Sequence, residues 1–200
     1  MYKRQILERI TDRPTVPRAF LCHPHNNPIL RHLHDRTFRY RRTDQPAVIL
    51  FRHPLPVMYS YVVYRKWGAK KVRDADLFGQ VNRMKRWLNK WVNQAPPSKQ
   101  YMRLRYEDLI KDPVERVADI LSFLPTTRPG PPWSVGDIQR AVEEFSVERV
   151  SKLATWNKQV ISLRTDKAQR RKDFIQRRGE EIMARLGDAW AFEEYQDEPC

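Results

Sequence analysis

The sequence predicts a three-layer α/β fold, a parallel sheet with helices on both faces, and three observations carry that prediction. A short apolar run, 48-VILF-51, is cut off by Pro54 and Pro56, and from Val57 the apolar residues return with helical period. A second strand-like stretch, 101-YMRLRYEDL-109, alternates apolar and charged residues before a proline-started helix at Asp112-Pro113. Strands and helices thus alternate along the chain, which favours parallel pairing with crossover helices.

In chain order, residues 6–18 carry a helix-like spacing of Ile6, Leu7 and Ile10, ended by Pro14 and Pro17. Next, 19-AFLCHPH-25 reads as a brief apolar strand running into a turn, which sets His23 at the strand's end. The basic, aromatic-interleaved stretch 31-RHLHDRTFRYRRTDQP-46 is expected to be a surface helix and loop leading to the strand at 47–51. That strand, uniformly apolar, is expected to be buried on both faces, with Arg52 at its carboxyl end.

Pro56 then reads as the first-turn proline of a helix on which Val57, Tyr61 and Tyr64 share a face and Ser60 lies in an early turn. A charged fork at a strand end followed by a hydroxyl near a helix start is one way α/β proteins hold phosphate. A surface ion pair for Arg52 and a helix cap for Ser60 are the plainer alternatives.

Phe78, Val81, Met84, Leu88, Trp91 and Val92 give an amphipathic helix whose aromatics face a core. In 101–109 the alternation of Met102, Leu104 and Tyr106 marks a half-buried strand. Asp112, Pro113 and Glu115 supply a cap, a first-turn proline and an acidic third position for a helix burying Val114, Val117, Leu121 and Leu124. The proline-rich 125-PTTRPGPPW-133 is a linker to a helix using Ile138, Ala141, Val142 and Phe145, with Asp137 as its cap. Residues 151–178 are basic and poorly periodic; a final helix is expected over about 178–186, followed by an acidic tail at 191–200.

Two hundred residues, 40% of them hydrophobic, suit one domain with a proper core, here placed at 6–190. The net charge of +14 favours polyanions or phosphorylated small molecules as partners. Cys22 and Cys200 provide neither a disulfide framework nor zinc-site spacing, so no metal is expected. There is no apolar run of membrane-spanning length and no signal-like core after Met1, so the expected address is cytoplasmic. The opening 1-MYKRQ-5 resembles a translated sequencing adapter, which would make it a scar; an ordinary basic N-terminus is the alternative.

Arg52-x-Pro54 with Ser60 eight residues after the arginine, directly behind an apolar strand, resembles the 3′-phosphate-binding segment of sulfotransferases that use 3′-phosphoadenosine 5′-phosphosulfate (PAPS). Downstream, 103-RLRYEDLIKDPVERVADILSFL-124 is similar to that family's strand, Tyr-Glu-Asp-Leu turn, Lys-Asp-Pro cap and helix. The resemblance implies the P-loop nucleotide-hydrolase-like sulfotransferase fold. It also implies transfer of a sulfuryl group from PAPS to a hydroxyl or amine, with a small molecule or glycan as acceptor.

It implies further that Arg52 and Ser60 hold the 3′-phosphate and that Tyr106 lies near the adenine, although a core-packed aromatic would look the same. Ser146 matches the family's serine beside the nucleotide, where Val147 replaces the usual aromatic. Arg164 and Lys172 match the basic ends of the C-terminal nucleotide loop, whose glycines are replaced by Asp166 and Gln169. His23, with His25 as the alternative, is similar to the histidine that takes the acceptor's proton. Glu107 and Asp108 belong to a turn that is mainly structural in the family, and are not expected to be catalysts.

The family's N-terminal Lys-Ser-Gly-Thr-Thr type loop has no counterpart before His23, so the chain is expected to be an N-terminally truncated sulfotransferase. A non-catalytic nucleic-acid- or polyanion-binding module on the same fold is the alternative, drawn from the charge and from Arg39, Tyr40, Arg41 and Arg42.

Overall fold

A computed structural model describes residues 2–11, 15–16, 30–31, 46–67, 72–94, 100–124, 133–146 and 167–190. The chain divides into two compact units, one of residues 1–46 and 108–162 and one of residues 47–107 and 163–200. Pairing is parallel wherever strands occur among the described residues, in two two-stranded sheets.

In the first unit, α1 (Tyr2–Thr11) precedes the short parallel pair β1 (Thr15–Val16) and β2 (Leu30–Arg31). Ile6 and Leu7 are buried on α1, as the apolar spacing requires.

The second unit holds β3 (Ala47–Phe51), α2 (Pro54–Trp67) and α3 (Asp74–Leu88), the last continuing as a π-helix over Asn89–Asn93. It is completed by β4 (Tyr101–Arg105), and β3 lies parallel to β4 with Ala47 opposite Tyr101 and Phe51 opposite Arg105. The short helix α4 (Tyr106–Lys111) follows β4 and carries the chain back to the first unit.

There α5 (Pro113–Phe123) and α6 (Val135–Glu144) pack together, and α6 also packs on α1, burying Val117, Ile120, Leu121, Ile138 and Ala141. Trp133 Nε1 donates to the Ile10 carbonyl at 3.1 Å, tying the end of the linker to α1. Asp112 holds the cap position of α5, yet its side chain makes no capping bond. The cap of α6 is Ser134 rather than Asp137: Ser134 Oγ accepts the Asp137 N–H while the Asp137 carboxylate accepts the Ser134 N–H.

α7 (Lys167–Leu186) returns to the second unit and packs on α2 and α3. It begins well before the expected 178, so the segment read as basic and aperiodic is helical from Lys167. Phe174, Ile175, Ile182, Met183 and Leu186 form its apolar stripe, obscured in the sequence by the arginines between them. Gly187, with φ of 51°, ends the helix in the left-handed region that favours glycine, and Lys85 Nζ donates to the Arg185 carbonyl at 3.1 Å. A 3₁₀ turn, Gly187–Trp190, then brings Trp190 into the core beside Phe51.

The core of this unit gathers Ile49 and Phe51 from β3, Leu55 and Met58 from α2, Val81 and Leu88 from α3 and Ile182 and Leu186 from α7. Two expectations are corrected here. Leu50, expected to be buried with the rest of its strand, is 44% exposed, because it points to the face of β3 opposite the one that carries the buried Ile49 and Phe51. On α2 the buried stripe is Leu55, Met58 and Tyr59, with Val57 and Val62 packed beside it, while Tyr64 is exposed, so the face shared by Val57, Tyr61 and Tyr64 meets the core only at its Val57 edge.

Candidate active site

The best-defined cluster of chemistry in the second unit lies where β3 enters α2 and β4 enters α4. Their parallel register sets Phe51 and Arg105 opposite one another, so the residues that follow, Arg52–His53 and Tyr106–Glu107, leave the sheet at the same end. Ligand sites in parallel α/β sheets form at the carboxyl ends of strands, because backbone turns and helix starts converge there.

Glu107 is the hub. Its Oε1 accepts the His53 backbone N–H at 3.1 Å and lies 3.7 Å from Arg52 Nε, while Oε2 lies 3.3 Å from Arg105 Nε. The Arg52 guanidinium also lies over the Tyr106 ring, 4.7 Å from its centroid. Among the described residues, two guanidiniums flank the one Glu107 carboxylate. Arg105 is buried and the Arg52 side chain is 35% exposed, so Arg52 is the more accessible of the two cations.

The start of α2 is closed to anions in a different sense. Four backbone positions at a helix start have no intrahelical acceptor for their N–H groups. Here they are His53, Pro54, Leu55 and Pro56. Both prolines lack the N–H, the His53 N–H goes to Glu107, and the Leu55 N–H donates to His53 Nδ1 at 3.3 Å. No amide at this helix start is left to grip a phosphate, so any phosphate here would have to be held by side chains.

His53 is buried, with its ring edge-on to Trp190 at 5.3 Å between centroids. Accepting from Leu55 through Nδ1 puts the ring proton of the neutral form on Nε2. Burial holds its pKa below the ordinary 6.5; Glu107 pulls it upward, while Arg105 and Arg52 push it further down.

Of the residues singled out from the sequence, Arg52 and Tyr106 are brought into contact. Ser60 lies on α2, one and a half turns past its start, and its hydroxyl donates to the Pro56 carbonyl at 2.9 Å. To donate to a phosphate it must turn away from that carbonyl. Tyr106 is the first residue of α4, not a strand residue, because β4 ends at Arg105. Ser146 follows α6 in the first unit, where its N–H donates to the Glu143 carbonyl. Lys172 is exposed on α7, so from Lys167 onward the expected nucleotide loop is helix instead. His23, His25 and Arg164 lie outside the described residues.

His53, Arg105 and Glu107 were not picked out as site residues by the sequence reading. One signal pointed to His53: a proline at the first position of a helix makes its predecessor the cap. Among the described residues no cluster of His, Cys, Asp or Glu could hold a metal, and no helix is long and apolar enough to cross a membrane.

A family model of the sulfotransferase domain matches residues 8–184. The chain therefore belongs to the sulfotransferase family, which implies an α/β fold of the P-loop-like kind. No curated protein matches it.

Proposed function

We propose that the chain binds PAPS and acts in sulfuryl transfer to a hydroxyl or amine acceptor, on the three-layer sheet of its family. The observation that carries this reading is the partly exposed Arg52 guanidinium at the carboxyl end of β3, over the Tyr106 ring and backed by Glu107. A planar fork with exposed surface suits a phosphate. Arg52 and Ser60 would hold the 3′-phosphate. Tyr106, whose ring lies under Arg52, would meet the adenine by ring contact or through its hydroxyl.

Bound PAPS would supply the sulfuryl group and leave as adenosine 3′,5′-bisphosphate. His23, or His25 in its place, would take the proton of the attacking hydroxyl, a role suited to a neutral imidazole near pH 7. Ser146, Arg164 and Lys172 would complete the nucleotide contacts. The reaction fits a cytoplasmic setting with a small-molecule or glycan acceptor.

Calorimetric titration of the chain with adenosine 3′,5′-bisphosphate, beside an Arg52→Ala variant, tests the reading. Binding by the wild type that is lost in the variant supports it. A folded wild-type chain that binds only generic DNA, without competition by the nucleotide, would favour a polyanion-binding module instead.

A further inference from the structure

A carboxylate beside a phosphate site works against affinity by Coulomb repulsion, so Glu107 calls for an explanation. Its contacts supply one. Glu107 draws Arg52 by the Nε edge at 3.7 Å, while the Tyr106 ring covers one guanidinium face at 4.7 Å. A carboxylate near its Nε edge and a ring beside its guanidinium restrict the rotamers open to Arg52 before any ligand arrives. Arg105, buried and 3.3 Å from the other carboxylate oxygen, offsets the charge that Glu107 brings. The same carboxylate accepts the His53 N–H, so the backbone next to Arg52 is held by the group that holds its side chain.

We propose that Glu107 is the positioning residue of the phosphate site. It orients Arg52 so that the terminal nitrogens meet the phosphate, with Arg105 beside its other carboxylate oxygen as a counter-charge. The proposal rests on the nucleotide reading for the identity of the anion, but the holding of Arg52 is a property of the unliganded protein. The sequence marks the Tyr106–Glu107–Asp108 turn as structural; the geometry gives its first carboxylate a role in binding.

Two measurements on the full chain test this. The first is titration with adenosine 3′,5′-bisphosphate of the wild type, Glu107→Gln, Arg52→Ala and the double variant. Glu107→Gln is expected to weaken binding tenfold or more, and to weaken it no further once Arg52 is absent, because it acts through Arg52. Unchanged or tighter binding in Glu107→Gln, or an equal loss in both backgrounds, would overturn the proposal.

The second uses no nucleotide. In ¹⁵N relaxation of the arginine Nε–H groups, with the Arg52 signal assigned from Arg52→Lys, Arg52 should be as ordered as the helical backbone in the wild type and mobile in Glu107→Gln. Equal order in both would overturn the proposal. A wild type that binds no bisphosphate, but whose Arg52 loosens in the variant, would leave the positioning role standing and remove the nucleotide reading alone. If Glu107→Gln fails to fold by circular dichroism, Glu107→Asp, which keeps the charge but shortens the reach, takes its place with the same expected outcomes.

Discussion

His53 Nδ1 accepts the backbone N–H of Leu55 at 3.3 Å, a bond that requires the buried imidazole to be neutral. Protonation would remove the acceptor and place a third cation beside Arg52 and Arg105. Because folding lowers this pKa below 6.5, the unfolded chain takes up the proton first as the pH falls. Stability from this group is therefore full above about pH 6.5 and is lost as the pH drops from there through the lowered folded value. Denaturant midpoints measured from pH 8 to pH 5 should fall below that point in the wild type, and fall less in His53→Asn, which keeps a capping oxygen. The same decline in the variant would place the titrating group elsewhere.

Arg52→Lys is expected to bind adenosine 3′,5′-bisphosphate at least about tenfold more weakly than the wild type, because an ammonium offers neither a planar face for Tyr106 nor a fork for phosphate. Calorimetry measures this directly. Wild-type affinity in the lysine variant would mean that a point charge suffices.

Removing the hub altogether is a matter of stability. Glu107→Ala leaves Arg105, whose side chain is 9% exposed, without its carboxylate and the His53 N–H without its acceptor. Breaking one side of a buried pair costs roughly 3 kcal/mol or more. A urea midpoint within error of the wild type would show that solvent or another group replaces the carboxylate at no cost.

Gly179 sits inside α7, where a Cβ would lie 3.4 Å from Ile175 Cγ2 and 3.6 Å from Leu55 Cδ1, ordinary van der Waals contact. Gly179→Ala should therefore gain up to about 1 kcal/mol from helix propensity alone, visible as a higher melting temperature. A lower one would mean that the added methyl disturbs the packing of α2 on α7.

Elements with an uninterrupted period were legible in the sequence. The burial of Phe78, Val81 and Leu88 on α3 follows from their spacing, and the strand at 47–51 from its apolar run. Where two periods meet, the reading carried too far: Tyr106 continues the alternation of Met102 and Leu104, but the chain has already turned into a helix. Arg105 falls between the apolar positions of that alternation and is nevertheless buried, with a carboxylate two residues on beside its charge, and no periodicity carries that pairing. Arg52 was legible because a charge directly after an apolar strand has few places to go. Glu107 was passed over because its importance lies in contacts with residues about fifty positions away.

The two prolines that open α2 have a consequence for how this site can change over evolutionary time. A phosphate cradle made of backbone amides can be rebuilt only by reshaping a loop, with insertions and glycines in the right places. At the start of α2 the amides are either missing or already engaged, so under the proposed function recognition would be written in the side chains of Arg52, Ser60 and Tyr106. Single-codon substitutions would then retune which anion is accepted while the helix start stays as it is.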